Sequence, residues 1–255
     1  MPAPATLTTP GYHHRGLDEL FRLARVDPLQ PECTIFFFVR HGETDGNHAR
    51  IFQSADQPLN ARGLAQAEAA SEALKGERLE RIVASTMARA WVTAEIVGRP
   101  HTLAPEPEEG LRERWFGDLV GTPSHDHDWR HDPPNGETLA TFVARSRTGI
   151  AKALDHAGTK RSTLVAHGGI LYVLGPALGI DLETRHLANG TPLLFERAGA
   201  GWRARCIADT GGASESAGVP SARAGCSAGT GKGTAFSLGR AILRSVACTP
   251  AGSRR

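Results

Sequence analysis

The chain has 255 residues, 40% of them hydrophobic, and 29 Lys+Arg against 27 Asp+Glu give a net charge of +2. That content suits one globular domain of roughly 150 to 200 residues plus tails. The balanced charge makes no demand for nucleic acid or a membrane surface. No stretch approaches the roughly 18 apolar residues of a membrane span, and no signal peptide is evident.

Residues 1 to about 15 are rich in Pro and Thr and are expected to be disordered. Residues 16–26 carry Leu17, Leu20, Phe21, Leu23 and Ala24 at the spacing of a short helix, which Pro28 and Pro31 then break. Next comes an uninterrupted apolar run, Cys33-Thr34-Ile35-Phe36-Phe37-Phe38-Val39. Such a run predicts a strand buried on both faces, the habit of a central parallel strand. It ends in Arg40-His41-Gly42-Glu43-Thr44, with Asn47 close behind. Ligands of open α/β sheets bind beyond the carboxyl ends of such strands. A cation, an imidazole and a glycine therefore stand where such a fold keeps its active site, and the glycine permits a sharp turn and close approach.

A loop through Asp56, Pro58 and Leu59 leads to Asn60, a good N-cap for a helix over 61–74 with Leu64, Ala67 and Leu74 on one face. Arg81-Ile82-Val83-Ala84-Ser85 reads as a second strand, followed by a helix through Val97. Arg89 falls in the first turn of that helix. Helix N-termini favour anions, and a guanidinium fork matches phosphate oxygens. The plain alternative is a solvated surface arginine. Leu103 is read as part of a short strand. After a Pro/Glu-rich loop comes Leu111-Arg112-Glu113-Arg114-Trp115-Phe116-Gly117-Asp118, where Glu113 is one acid among Glu106, Glu108 and Glu109. His125, His127 and His131 stand among Asp126, Asp128 and Asp132. Imidazole and carboxylate are transition-metal ligands, but the expectation is a polar surface loop near the mouth of the site, within reach of substrate.

Leu139, Phe142, Val143, Ile150 and Leu154 predict a helix to about residue 156. Ser162-Thr163-Leu164-Val165-Ala166 predicts a buried strand ending in His167-Gly168-Gly169, with an apolar helix over 170–178. A lone histidine is more often a satisfied core residue, but one at a strand end before two glycines is not a generic arrangement. Residues 192–196 and 202–207 read as two closing strands. From residue 209 Gly, Ala and Ser dominate, and six basic residues face two acids. This tail is expected to be largely disordered, with a weak basic amphipathic helix over 235–246 as one option. Gly229-Thr230-Gly231-Lys232-Gly233 fails as a P-loop, because Cys226 replaces the earlier glycine and Gly233 the Ser/Thr. The cysteines Cys33, Cys206, Cys226 and Cys248 form no C-x-x-C pair, so reduced thiols and a cytoplasmic location are expected.

The Arg40-His41-Gly42-Glu43-Thr44 string after a buried strand resembles the signature of the histidine phosphatase superfamily, the group that includes the cofactor-dependent phosphoglycerate mutases. The Ser85, Arg89, Ala90, Thr93, Ala94 pattern resembles the family's second-arginine segment. Leu111 to Gly117 resembles the segment that supplies its general acid, here Glu113, and His167-Gly168 resembles its second catalytic histidine. Val120 stands before Gly121 where the family often has an acid, a departure that bears on the substrate loop. The resemblance implies a three-layer α/β/α sandwich around a mostly parallel central sheet, phosphoglycerate mutase-like. The domain limits expected are an N-terminal extension over 1–33, partly disordered, the histidine phosphatase domain over 34–208, and the basic tail over 209–255.

The implied activity is phosphomonoester hydrolysis of a small phosphorylated metabolite. Neutral His41 would attack phosphorus through one ring nitrogen, its other N–H held by a backbone carbonyl. Arg40, Arg89, His167 and Asn47, with Gly168, would surround the phosphoryl oxygens. Nearby cations would depress the His41 pKa. Glu113 would protonate the leaving oxygen and later activate water, and it is expected off the cationic centre, at the leaving-group side. No metal or cofactor is required, because arginines and histidines carry the charge. No nucleic-acid partner and no stable membrane anchor are expected, and an oligomer is left open. The short segment from Glu113 to His167 favours an open site and hence a phosphatase over a phosphoglycerate mutase-type phosphotransferase. A non-catalytic phosphate-binding or scaffold protein using the basic tail is the alternative of another class.

Overall fold

The computed structural model describes residues 15–155 and 161–207. The chain divides into two compact units, Met1–Ser214 and Glu215–Arg255, and the described residues all belong to the first. The expectations for the N-terminal 14 residues, the basic tail and its helix over 235–246 fall outside them.

In chain order the elements are α1 (Leu17–Arg25), β1 (Ile35–Arg40), α2 (Asp45–Ala49), α3 (Ala61–Leu74), β2 (Arg81–Ala84), α4 (Ala88–Gly98), β3 (Pro105–Pro107), α5 (Leu139–Asp155), β4 (Ser162–Ala166), α6 (Gly168–Ala177), β5 (Pro192–Ala198) and β6 (Gly201–Cys206). Six strands form one sheet in the order β3-β2-β4-β1-β5-β6. The first four are parallel, and β5 and β6 continue antiparallel as a closing hairpin. The fold is thus a three-layer α/β/α sandwich around a mostly parallel sheet.

Strand residues alternate between two cores, as the two-residue period of a strand requires. Phe36, Phe38, Leu164 and Ala166 face a cluster containing Leu20 of α1, Phe142 and Ile150 of α5, and Ile170 and Leu174 of α6. Phe37, Val39, Ile82 and Val165 face a second cluster built on Ala70 and Leu74 of α3 and Ala94 and Val97 of α4. Both faces of β1 are buried, which explains its unbroken apolar run.

Two local expectations are corrected. Leu64 is 43% exposed rather than on the inner face of α3. Gly63 presses so closely on Glu43 that a Cβ there would lie 2.0 Å from the Glu43 carbonyl oxygen, and this backbone contact turns Gly63, Ala67, Ala70 and Leu74 inward. Leu103 belongs to the turn after α4, its N–H bonded to the Gly98 carbonyl, and the strand is Pro105–Pro107. Two prolines are tolerated there because β3 is an edge strand. No helix among the described residues is long and apolar enough to cross a membrane.

α1 packs against α5 and α6, with Leu20 fully buried. Leu20→Ala should therefore lower unfolding free energy by about 2 to 4 kcal/mol in urea titrations. A change under about 0.5 kcal/mol would mean that α1 is an appendage.

Candidate active site

The site forms where three parallel strands end side by side. Arg40, the last residue of β1, stands opposite Ala166 of β4, and the His41 N–H donates to the Ala166 carbonyl at 3.0 Å. His41 and His167 therefore leave their strands at the same level, with ring centroids 5.0 Å apart. Beyond β2, the Ser85 N–H donates to the Val165 carbonyl at 3.0 Å, and the Ser85 hydroxyl lies 2.8 Å from His167 Nε2. The first turn of α4 then delivers Arg89, whose Nε donates to His41 Nε2 at 3.3 Å and whose Nη1 donates to the Ser54 carbonyl at 2.9 Å.

A hydrogen bond fixes the tautomer of His41. His41 Nδ1 lies 2.7 Å from the Gly42 carbonyl oxygen, which can only accept. Nδ1 therefore carries the proton and Nε2 is bare. The turn that allows this brings Gly42 against Gly63, where a Cβ would fall 2.2 Å from a carbonyl oxygen. Burial, then Arg89 and Arg40, hold the His41 pKa well below its ordinary value, opposed only by the Gly42 carbonyl. The Ser85 hydroxyl accepts from the Met87 N–H at 3.3 Å and exchanges a further hydrogen bond with His167 Nε2 at 2.8 Å. The other ring nitrogen of His167, Nδ1, is a buried atom without a hydrogen-bond partner among the described residues. The His167 pKa is likewise held well below the ordinary value, by burial, Arg89, His41 and Arg40. Arg89, 2% exposed, has its own pKa lowered to about 10 by burial, against the raising effect of Glu113.

The other expected residues converge on the same place. Arg40 donates from Nη1 to the Leu187 carbonyl at 2.5 Å. Gly168 abuts that guanidinium, with room for a Cβ 3.5 Å from Cζ. The Asn47 Oδ1 accepts from the N–H and hydroxyl of Thr44 at 3.2 and 3.0 Å, which closes the first turn of α2 as a capping box. Arg40, His41, Asn47, Arg89 and Glu113 all line one open cavity of about 140 Å³. His167, fully buried, lies behind His41 and is not among the lining residues. Glu113 is held by backbone N–H groups of two segments. Its Oε2 accepts from Gly169 N–H at the start of α6 at 3.0 Å, its Oε1 from its neighbour Arg114 N–H at 3.0 Å, and its charge acts on Arg89. Gly169 permits the approach, since a Cβ there would lie 2.0 Å from Oε1.

Of the loop histidines, His127 lines the cavity, whereas His125 pairs with Asp126 at 2.9 Å on the surface. Among the described residues no group of three or more His, Cys, Asp or Glu side chains could hold a metal ion.

Several positioning residues escaped the sequence reading. Asn189 donates to the His41 carbonyl at 2.8 Å and so holds the strand exit. Arg145 on α5 makes two 2.8 Å bonds to the Glu137 carboxylate and reaches the carbonyls of Gly110 at 3.0 Å and Arg112 at 3.2 Å. It thereby ties down the loop that carries Glu113. Arg114 is buried and spends its guanidinium on the carbonyls of Glu137, Trp129 and His131 and on Asp132. Most of these contacts lie far apart in the chain, from 15 positions for Arg114–Trp129 to 148 for Asn189–His41, with no local pattern to betray them. Ser85 stood in the matched pattern without an assigned role.

Paired arginines, two neutral imidazoles and a nearby carboxylate form a site for a tetrahedral oxyanion. Residues 36–210 match the histidine phosphatase superfamily (branch 1), and the chain belongs to that family. An agropine synthesis reductase of Rhizobium rhizogenes is 31% identical over 71% of this chain, which spans only 44% of that protein's length. The uncharacterized phosphatase PhoE of Bacillus subtilis is 33% identical over 67% of this chain and 92% of its own. In structure, a mycobacterial glucosyl-3-phosphoglycerate phosphatase superposes with a TM-score of 0.55 at 27% identity, covering 68% of this chain and 97% of that one.

The depressed imidazole pKa values have a signed consequence. Below about pH 6.5 the unfolded chain protonates both histidines while the fold keeps them neutral. Their contribution is thus fully present above that pH and lost as pH falls, by up to about 1.4 kcal/mol per unit for each. A His41→Gln/His167→Gln variant should lose about 2 to 4 kcal/mol less stability than the wild type between pH 7 and pH 5 in urea titrations. Equal losses would mean that the imidazoles are not held neutral.

Proposed function

We propose that the protein is a metal-independent phosphomonoesterase acting through a phosphohistidine on a small phosphorylated metabolite. The observation that carries this reading is the bare Nε2 of His41, its tautomer set by the Gly42 carbonyl and its position set by Arg89. The lone pair on Nε2 attacks phosphorus as the ester P–O bond breaks, and Glu113 gives a proton to the leaving oxygen. Water then adds to the phosphohistidine, yielding its proton to Glu113. The P–N bond breaks, its electron pair returns to Nε2, and inorganic phosphate leaves.

Charge on the transferring group is spread over its peripheral oxygens. Arg40, Arg89 and Asn47 face them from the cavity, and His167 beside His41 completes their surroundings. Two fixed cations meet a phosphate dianion here, so the residues themselves supply the neutralisation. The comparisons support the reading at the level of class, since relatives include phosphatases. The mycobacterial phosphatase structure is a complex with VO3, and vanadate is the natural probe of this centre. A phosphoglycerate mutase-type phosphotransferase would share the nucleophile and differ in the fate of the phosphoryl group.

Hydrolysis of p-nitrophenyl phosphate in EDTA should persist in the wild type, be blocked by vanadate, and fall at least about 10³-fold in His41→Ala. Activity equal in both proteins, or restored only by divalent metal, would sink the mechanism. Isomerisation of 3-phosphoglycerate that depends on bisphosphoglycerate and releases no phosphate would replace hydrolase with mutase. Glu113→Gln should cost about 10² to 10⁴-fold with an alkyl phosphate and much less with p-nitrophenyl phosphate, whose leaving group needs no proton. Equal losses on the two substrates would remove Glu113 as the acid.

A further inference from the structure

The cavity has two unlike ends. Besides Arg40, His41 and Arg89, its lining holds an aromatic group formed by Phe52, Phe116, His127 and Trp129. Phe52 and Phe116 lie with centroids 4.1 Å apart at 31°. The His127 ring stands edge-on to both, at 5.1 Å and 87° and at 5.5 Å and 86°. Trp129 meets Phe116 at 5.8 Å and 82°.

This wall is built rigidly. Phe52 exchanges backbone hydrogen bonds with the 121–122 segment, through Phe52 N–H to Thr122 at 3.0 Å and Gly121 N–H to Phe52 at 2.9 Å. Arg114 lies against Phe116 at 5.6 Å and Trp129 at 5.8 Å, and it bonds the Trp129 carbonyl at 2.7 Å. Its remaining donors go to the carbonyls of Glu137 and His131 and to Asp132. Of the three arginines on the cavity, Arg40 and Arg89 stand beside His41, and Arg114 spends four of its five N–H groups on the loops around it. No Lys or further Arg lines the cavity among the described residues.

Resting on the reading of the arginine end as a phosphoryl site, we propose that the substrate carries a single phosphate on an uncharged, ring-bearing alcohol, the ring seated on Phe52, Phe116, His127 and Trp129. Aromatic rings favour offset or edge-on partners of their own kind, and a preformed wall has no ordering cost to meet on binding. A carboxylate or second phosphate on the leaving group would enter a wall of aromatic rings whose nearest guanidinium, Arg114, is already committed to three carbonyls and the Asp132 carboxylate.

Phosphonates test this without turnover. By calorimetry on the full chain, benzylphosphonate should bind at least about tenfold more tightly than ethylphosphonate. That ratio should fall toward one in His127→Ala and in Phe116→Leu. 3-Phosphonopropionate should bind no more tightly than propylphosphonate. Equal affinity for the benzyl and ethyl compounds in the wild type would overturn the aromatic subsite while vanadate binding kept the phosphoryl site standing. Tenfold tighter binding of the carboxylate compound would overturn the single-anion assignment. If vanadate and every phosphonate failed to bind, the phosphoryl reading itself would fall and the proposal with it.

Discussion

The parallel pairing of β1 with β4 is the constraint on which the site depends. It is a backbone constraint, and it places two histidines at one level, with their ring centroids 5.0 Å apart. The register that puts Arg40 opposite Ala166 also puts the His41 N–H on the Ala166 carbonyl. A slip of one residue would turn Phe36 and Phe38 into the core meant for Phe37 and Val39, and the reverse. The aromatic run of β1 therefore acts on the chemistry at a distance. Its bulk on both faces fixes the register, and the register fixes the imidazoles.

What this arrangement creates is a charge imbalance. Arg89 is nearly fully buried, with Arg40 close enough to lower its pKa, and both histidines stay neutral under the two arginines. Glu113 opposes part of that positive charge, but its oxygens are also engaged by two backbone N–H groups. A buried cation without a full counter-charge is costly. The fold offsets the cost with close-packed strands and with carbonyls aimed at both guanidiniums, from Ser54 and Leu187. On the proposed reading a phosphate dianion would complete the balance, and affinity for the transferring group would follow from how the site is held together.

The strands and the residues at their ends were legible because they are local. A buried strand followed by Arg-His-Gly, and another followed by His-Gly-Gly, carry their meaning within a few positions. Glu113 was found by its spacing to Phe116-Gly117, but its place was not. Nothing near it in sequence tells that Gly169 would approach its carboxylate or that Arg145 would gather its loop. Leu64 misled for a related reason. Helical spacing selects a stripe, but the backbone contact of Gly63 with Glu43 rotates that stripe by one residue. The three loop histidines were equivalent on paper. Only the pairing of residues 50–52 with 121–124 separates His127, on the cavity, from His125, on the surface.

The two ends of the cavity are held by different means, and this bears on how such a site can change. The phosphoryl end rests on strand register and backbone hydrogen bonds, so almost any alteration there disturbs the sheet. The aromatic end rests on side chains contributed by loops and on one buried arginine. Replacing Phe116 or His127 alters the shape offered to the leaving group while leaving the strand ends where they are. Replacing Arg114 is a different matter. Its guanidinium links the Glu137, Trp129 and His131 carbonyls, and Glu137 in turn grips Arg145 beneath Glu113. Through that chain of contacts the shape of the leaving-group wall and the position of the carboxylate are set together.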